Sequence, residues 1–152
     1  MQKISFSTSI DAPREAVWQA LWDEANYSKW TSAFAEGSYA VTDNWRQGTK
    51  VLFLSPDGCG MVSRVAENRP NEFMSFEHLG EVKDGIEDTS SEKVAAWQGG
   101  HENYTLTEDG EATLLEVDMD MMEEHREYFL QAWPKALEAL KSLAEQHQTV
   151  PQ

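Results

Sequence analysis

The sequence predicts an α+β domain: a curved antiparallel sheet of about six to seven strands wraps a long C-terminal helix, with two short helices after the first strand. Three observations predict it. Residues 3–10 alternate apolar and polar side chains. From Gly37 to Met119, strand patterns and turn residues follow one another without a second long helical period. Residues 123–147 then carry one apolar stripe at three- and four-residue steps. A sheet with one apolar face has to bury it, and this helix is its only large apolar partner.

Each element has a local reason. Ile4, Phe6, Thr8 and Ile10 share one face of the first strand, opposite Ser5, Ser7 and Ser9, the period of a half-buried strand. Asp11-Ala12-Pro13 opens a helix. Asp suits the cap, and Pro suits the first turn, where its missing N–H is not needed. Val17, Trp18, Leu21 and Trp22 follow at helical spacing, and a short second helix covers Asn26 to Trp30. Tyr39 and Val41 alternate, and Val51 to Leu54 is a buried run. Pro56-Asp57-Gly58 is a turn, because Pro presets φ and Gly accepts positive φ. Cys59 to Glu67 is the next strand, and Asn68-Arg69-Pro70-Asn71 turns the chain into Phe73 to Leu79. Residues 103–107 and 113–119 form a hairpin through Asp109-Gly110, with Thr113, Leu115, Val117 and Met119 on one face.

Residues 80–101 break this rhythm. Gly80, Asp84-Gly85, Ser90-Ser91 and Gly99-Gly100 surround an acidic stretch, which reads as a long loop with room for a frayed strand, either functional or mobile. In the last helix Phe129, Trp133, Leu137, Leu140 and Ala144 align. Pro134 lies inside it, removes one backbone hydrogen bond and predicts a kink near residue 130. The expected organisation is one domain over residues 1–147 and a disordered tail over 148–152.

Charge narrows the functional classes. The 27 acidic residues outnumber the 12 basic ones, for a net charge of −15. Such a field repels nucleic-acid phosphates and anionic membrane surfaces. No apolar run has the length needed to span a bilayer, so membrane insertion is not expected. Cys59 is the single cysteine, so no intrachain disulfide can form. With no apolar leader after Met1, a cytoplasmic location is expected. The glycosylation patterns at Asn26-Tyr27-Ser28 and Asn103-Tyr104-Thr105 are then coincidental.

Three segments carry a resemblance. Ile10 to Leu21 (IDAPREAVWQAL) resembles the opening motif of the SRPBCC, or START-like, superfamily, the Bet v 1-like helix-grip proteins. Tyr27-Ser28-Lys29-Trp30 is similar to the end of its second helix, and Trp133 to Leu140 (WPKALEAL) to its C-terminal helix motif. The chain most resembles the bacterial homologues of the activator of heat-shock protein 90 ATPase. The resemblance implies a helix-grip fold. Members of the superfamily bind lipids, sterols, hormones and polyketides, and some are cyclases or oxygenase domains. The matching motifs are scaffold, so no catalytic residue transfers from them.

The remaining chemistry is sparse. His78, His101, His125 and His147 lack metal-ligand spacing, although Glu102 and Glu124 adjoin two of them. Asp84, Glu87, Asp88 and Glu92 fit no calcium loop. Cys59, between Gly58 and Gly60, has no histidine partner assigned by spacing and no phosphate-loop context. Neither metal nor cofactor is expected. Trp30, Trp45, Phe53, Phe76, Trp97, Tyr104, Met119, Phe129 and Trp133 are apolar candidates for a cavity between sheet and last helix, with His78, Glu102 and the Tyr104 hydroxyl as its polar groups. Three readings follow. The first is non-catalytic binding of a small, largely apolar molecule. The second is a protein-interaction or chaperone-regulator role, with the acidic surface steering a basic partner. The third is a cyclase- or hydrolase-type enzyme.

Overall fold

The computed structural model describes the backbone of residues 2–149 and the side chains of residues 2–145. In chain order the elements are β1 (Gln2–Ile10), α1 (Arg14–Trp22), α2 (Glu24–Trp30), a 3-10 turn (Thr31–Ala33), β2 (Tyr39–Thr42), β3 (Lys50–Leu54), β4 (Gly60–Arg69), β5 (Phe73–Lys83), β6 (Ile86–Asp88), α3 (Glu92–Ala95), β7 (His101–Asp109), β8 (Ala112–Met121), a second 3-10 turn (Glu123–His125) and α4 (Arg126–Thr149). All pairings are antiparallel, in the order β1-β8-β7-β5-β4-β3-β2, with β6 added beside β5. The sheet therefore has eight strands, above the expected six to seven.

The alternation read from the sequence is the alternation of burial. Ile4 and Ile10 are buried on β1 while the serines face water, and β8 buries Thr113, Leu115, Val117, Met119 and Met121. Fully antiparallel strands with one wet face produce this pattern. Against the dry face lies α4, which buries Trp133, Ala136, Leu137, Leu140 and Ala144. The helix runs continuously across Pro134 and begins three residues after the expected start, behind the second 3-10 turn. It includes residues 148 and 149, assigned above to a tail; residues 150–152 lie outside the described residues.

Two local readings need correction. Asp11 does not cap α1. The N-cap position is Pro13, whose carbonyl accepts from Ala16 N–H (3.0 Å) and Val17 N–H (3.1 Å). The Asp11 backbone N–H instead donates to Glu145 Oε2 at 2.9 Å, tying the end of β1 to α4. The Ala12 carbonyl accepts from the buried Thr113 hydroxyl at 2.8 Å, fixing the same segment to β8.

Residues 80–101 are not one loop. β5 continues to Lys83, Asp84-Gly85 reverses the chain, and β6 pairs back with Val82↔Glu87. Gly80, read from sequence as a breaker, is a strand residue that permits close approach: a Cβ there would lie 2.1 Å from the Asp88 carbonyl oxygen. After β6, Ser91 caps α3 by accepting from Val94 N–H, and Val94 is fully buried. Gln98 Nε2 donates to the Leu79 and Thr89 carbonyls at 2.8 Å each, which closes the segment on itself.

Candidate functional site

A cleft of about 420 Å³ opens between the concave sheet face, α2 and the first half of α4. Its depth is aromatic. Trp30, Tyr104 and Trp133 form a triangle with ring centroids 6.1–6.4 Å apart, and Phe34 lies edge-on to Trp133 at 4.9 Å. Trp30 is fixed because its indole N–H donates to the Leu21 carbonyl at 3.0 Å. The Trp133 indole N–H is buried and has no acceptor among the described residues. At the mouth the half-exposed Tyr128 of α4 donates its hydroxyl to the Phe34 carbonyl at 2.5 Å, bridging helix and loop.

One wall is polar. β4 and β5 place Ser63 opposite His78, and Ser63 Oγ lies 2.7 Å from His78 Nδ1. His78 Nε2 approaches Glu102 Oε1 at 3.4 Å, and the other carboxylate oxygen of Glu102 accepts from the Tyr104 hydroxyl. Which of Ser63 Oγ and His78 Nδ1 donates depends on the ring's tautomer: with a ring proton on Nε2 alone, Ser63 donates to Nδ1. Ser63 is fully buried behind this wall, so it does not reach the cleft. Burial first, and the Glu102 charge second, push the phenols of Tyr27 and Tyr104 well above the ordinary tyrosine value. A shift of register lies at this wall: Leu79 is an extra β5 residue between the pairs Val62↔Gly80 and Ser63↔His78. The bulge re-aims the strand, and Gly99 and Gly100 bond to the His78 backbone in place of a longer β7.

Of the eleven residues proposed from sequence, eight line this cleft: Trp30, Phe53, His78, Glu102, Tyr104, Met119, Phe129 and Trp133. Three do not. Phe76 is fully buried behind the lining, 5.1 Å from Phe53 and 6.1 Å from Tyr104 between ring centroids. Trp45 sits in the β2–β3 connection at φ 58°, a left-handed conformation costly for a bulky residue. That backbone turns the ring onto Trp22 (4.9 Å), and the indole N–H of Trp45 donates to the Trp22 carbonyl at 2.9 Å. It borders a separate groove along β2 and the α1–α2 junction. Trp97 follows α3, partly exposed and away from the cleft, because residues 80–101 fold outward as hairpin and helix.

Sequence reasoning did not place Tyr27, Thr31, Phe34, Tyr39, Cys59, Met61 or Tyr128 in the lining. Tyr27 and Thr31 carry the period of α2 and the turn beyond it, which a longer helical assignment would have exposed. Tyr128 precedes Phe129 on α4 and faces the mouth rather than the core, off the apolar stripe. Among the described residues, no group of three or more His, Cys, Asp or Glu is gathered to hold a metal ion. No described helix is long and apolar enough to cross a membrane.

The family model for Activator of Hsp90 ATPase homolog 1-like protein matches residues 11–145. The chain belongs to this family. Solved structures share its fold at low identity. The solution structure of the Aha1 dimer from Colwellia psychrerythraea is 18% identical with a TM-score of 0.71, covering 95% of this chain and 97% of that one. A crystal structure from Mesorhizobium loti is 18% identical with a TM-score of 0.69, covering 99% and 100%. DynU16, from the dynemicin biosynthetic locus, is 19% identical with a TM-score of 0.70 over 95% of this chain, which spans only 48% of DynU16. No curated protein matches the sequence. As a member of the Activator of Hsp90 ATPase homolog 1-like family, the chain has the helix-grip architecture. The segments that carried the resemblance are its supports: Ala12 anchors β8, Trp30 braces α1, and Trp133 and Leu137 pack α4 on the sheet.

Proposed function

We propose that this protein binds a small, largely apolar molecule in the cleft between sheet and α4, without transforming it. The observation that carries this reading is the cleft itself: about 420 Å³, walled mainly by rings and Met, with a few convergent polar groups. Close packing is the rule in protein interiors, so an aromatic-lined space of this size is unlike an ordinary core. The polar wall offers no exposed nucleophile beside a base, since the Ser63 hydroxyl is buried. Binding rather than chemistry is the function that such a wall supports.

A ligand that binds only the folded state stabilises it by mass action. An apolar fluorescent probe should therefore raise the melting temperature as its concentration rises, and change the emission of Trp30 and Trp133. Binding of the probe with neither a melting shift nor a change in Trp emission would argue against occupancy of this cleft.

A second reading has its own support. The net charge of −15 suits steering of a basic protein partner, and the family's name associates it with chaperone regulation. Partner capture from host lysate should then weaken steeply with salt, because exposed charges are screened. Equal yields at low and high salt would count against steering.

A further inference from the structure

The cleft has a sign as well as a shape. Among the described residues no Lys or Arg lines it, and Glu102 is its single carboxylate. Among the described residues no Lys or Arg pairs with Glu102; its ionic neighbour is His78. The Glu102 side chain is 21% exposed, so a ligand can reach it. A carboxylate accepts about four hydrogen bonds. Tyr104 supplies one, and His78 approaches only at 3.4 Å. Acceptor capacity therefore remains on a negative group at the wall of an apolar space. The rings of Trp30, Tyr104 and Trp133 surround the same space, and aromatic faces attract cations.

We infer that the cleft selects an apolar molecule ending in a cationic hydrogen-bond donor, such as a primary ammonium group, and rejects one ending in a carboxylate or phosphate. This deepens the binding reading above and rests on it. The ammonium N–H donates to Glu102 while the apolar body lies among the rings. An anionic head would meet Glu102 with no Lys or Arg in the lining to compensate, and it would lose its hydration as it entered.

Phenylbutylamine, phenylbutanol and phenylbutyrate test this by calorimetry and Trp emission at about pH 8, where the amine is charged. The amine should bind about tenfold tighter than the alcohol, the gap between a charge-assisted and a neutral hydrogen bond, and the carboxylate weakest. Raising salt from about 0.05 to about 0.5 M should leave the order intact, since a contact inside the cleft is screened far less than the outer surface. In Glu102→Gln the amine's advantage over the alcohol should disappear. Melting curves of this near-isosteric variant verify its fold, and the wild-type salt series tests the same point without it. Equal binding of all three probes, a preference for the carboxylate, loss of the order in high salt, or an unchanged preference in folded Glu102→Gln would overturn the charge selectivity and leave apolar binding standing. Binding of none of the three would remove the binding reading itself.

Discussion

A phenol buried beside a carboxylate is a pH-sensitive element. Tyr104 is 2% exposed and donates to Glu102, and Tyr27 is packed nearby on α2. Both phenols titrate well above the ordinary value, with burial as the main cause and the Glu102 charge second. In the pH window between the ordinary value of about 10 and the raised one, the unfolded chain loses these protons and the folded chain keeps them. Stability is therefore fully present below about pH 10 and falls as pH rises through that window. Urea midpoints measured between pH 9 and pH 11 should drop, and Tyr104→Phe should flatten the drop, because one of the two coupled phenols is gone. A variant curve parallel to wild type would assign the alkaline loss to other groups. The acidic limb has the opposite sign. Lys141 first, and the Asp11 backbone N–H second, hold the Glu145 carboxyl below the ordinary range, so its contribution is lost as pH falls through the lowered value.

Among the elements, α4 joins the scaffold to the site. Trp133 stacks on Phe6 of β1 at 5.9 Å and touches Phe34 and Trp30, so one side chain both closes the core and lines the cleft. Trp133→Ala should cost about 3–5 kcal/mol, and Leu140→Ala, buried further along the helix, about 2–5 kcal/mol. Only the first should alter probe binding, because Leu140 does not line the cleft. Urea midpoints and probe titrations separate the two; a loss below about 1 kcal/mol would remove Trp133 from the core. The same helix explains what was legible in the sequence. A stripe at three- and four-residue spacing and strands at period two each name a buried face, so sheet, helix and eight of the twenty lining residues follow from that reading. Periodicity fails where the backbone departs from it. Trp45 escapes through a positive φ, Phe76 shares a strand face with His78 but lies behind two other rings, and Gly80 marks a close approach of two strands rather than a break. Of the Ser63–His78–Glu102–Tyr104 wall only Ser63 was not named from sequence, since its place opposite His78 depends on a bulge and on strands meeting in register.

At the scale of the whole molecule the dominant quantity is charge. Twenty-seven acidic and 12 basic residues leave a net charge of −15 on a chain of 152 residues. Several basic residues are already paired on the surface, as in Lys50–Glu87, Arg64–Glu77 and Lys93–Glu81. Exposed pairs of this kind contribute about 0–1 kcal/mol each, and salt weakens them. Against them stands the mutual repulsion of the unpaired carboxylates, which favours the expanded chain and is weakened by salt as well. The two effects oppose one another, and the imbalance of acids over bases decides the sign: repulsive pairs outnumber attractive ones. The melting temperature should therefore rise as sodium chloride is increased from about 0.01 to about 0.2 M, over which the screening length shrinks from about 30 Å to under 10 Å. Thermal melts at constant pH, with a neutral osmolyte at matched osmolality as control, measure it. A melting temperature that stays flat or falls would mean that the surface ion pairs outweigh the repulsion. The acids would then be arranged as local networks rather than as a diffuse field, and the long-range steering invoked for a basic partner would lose its physical basis.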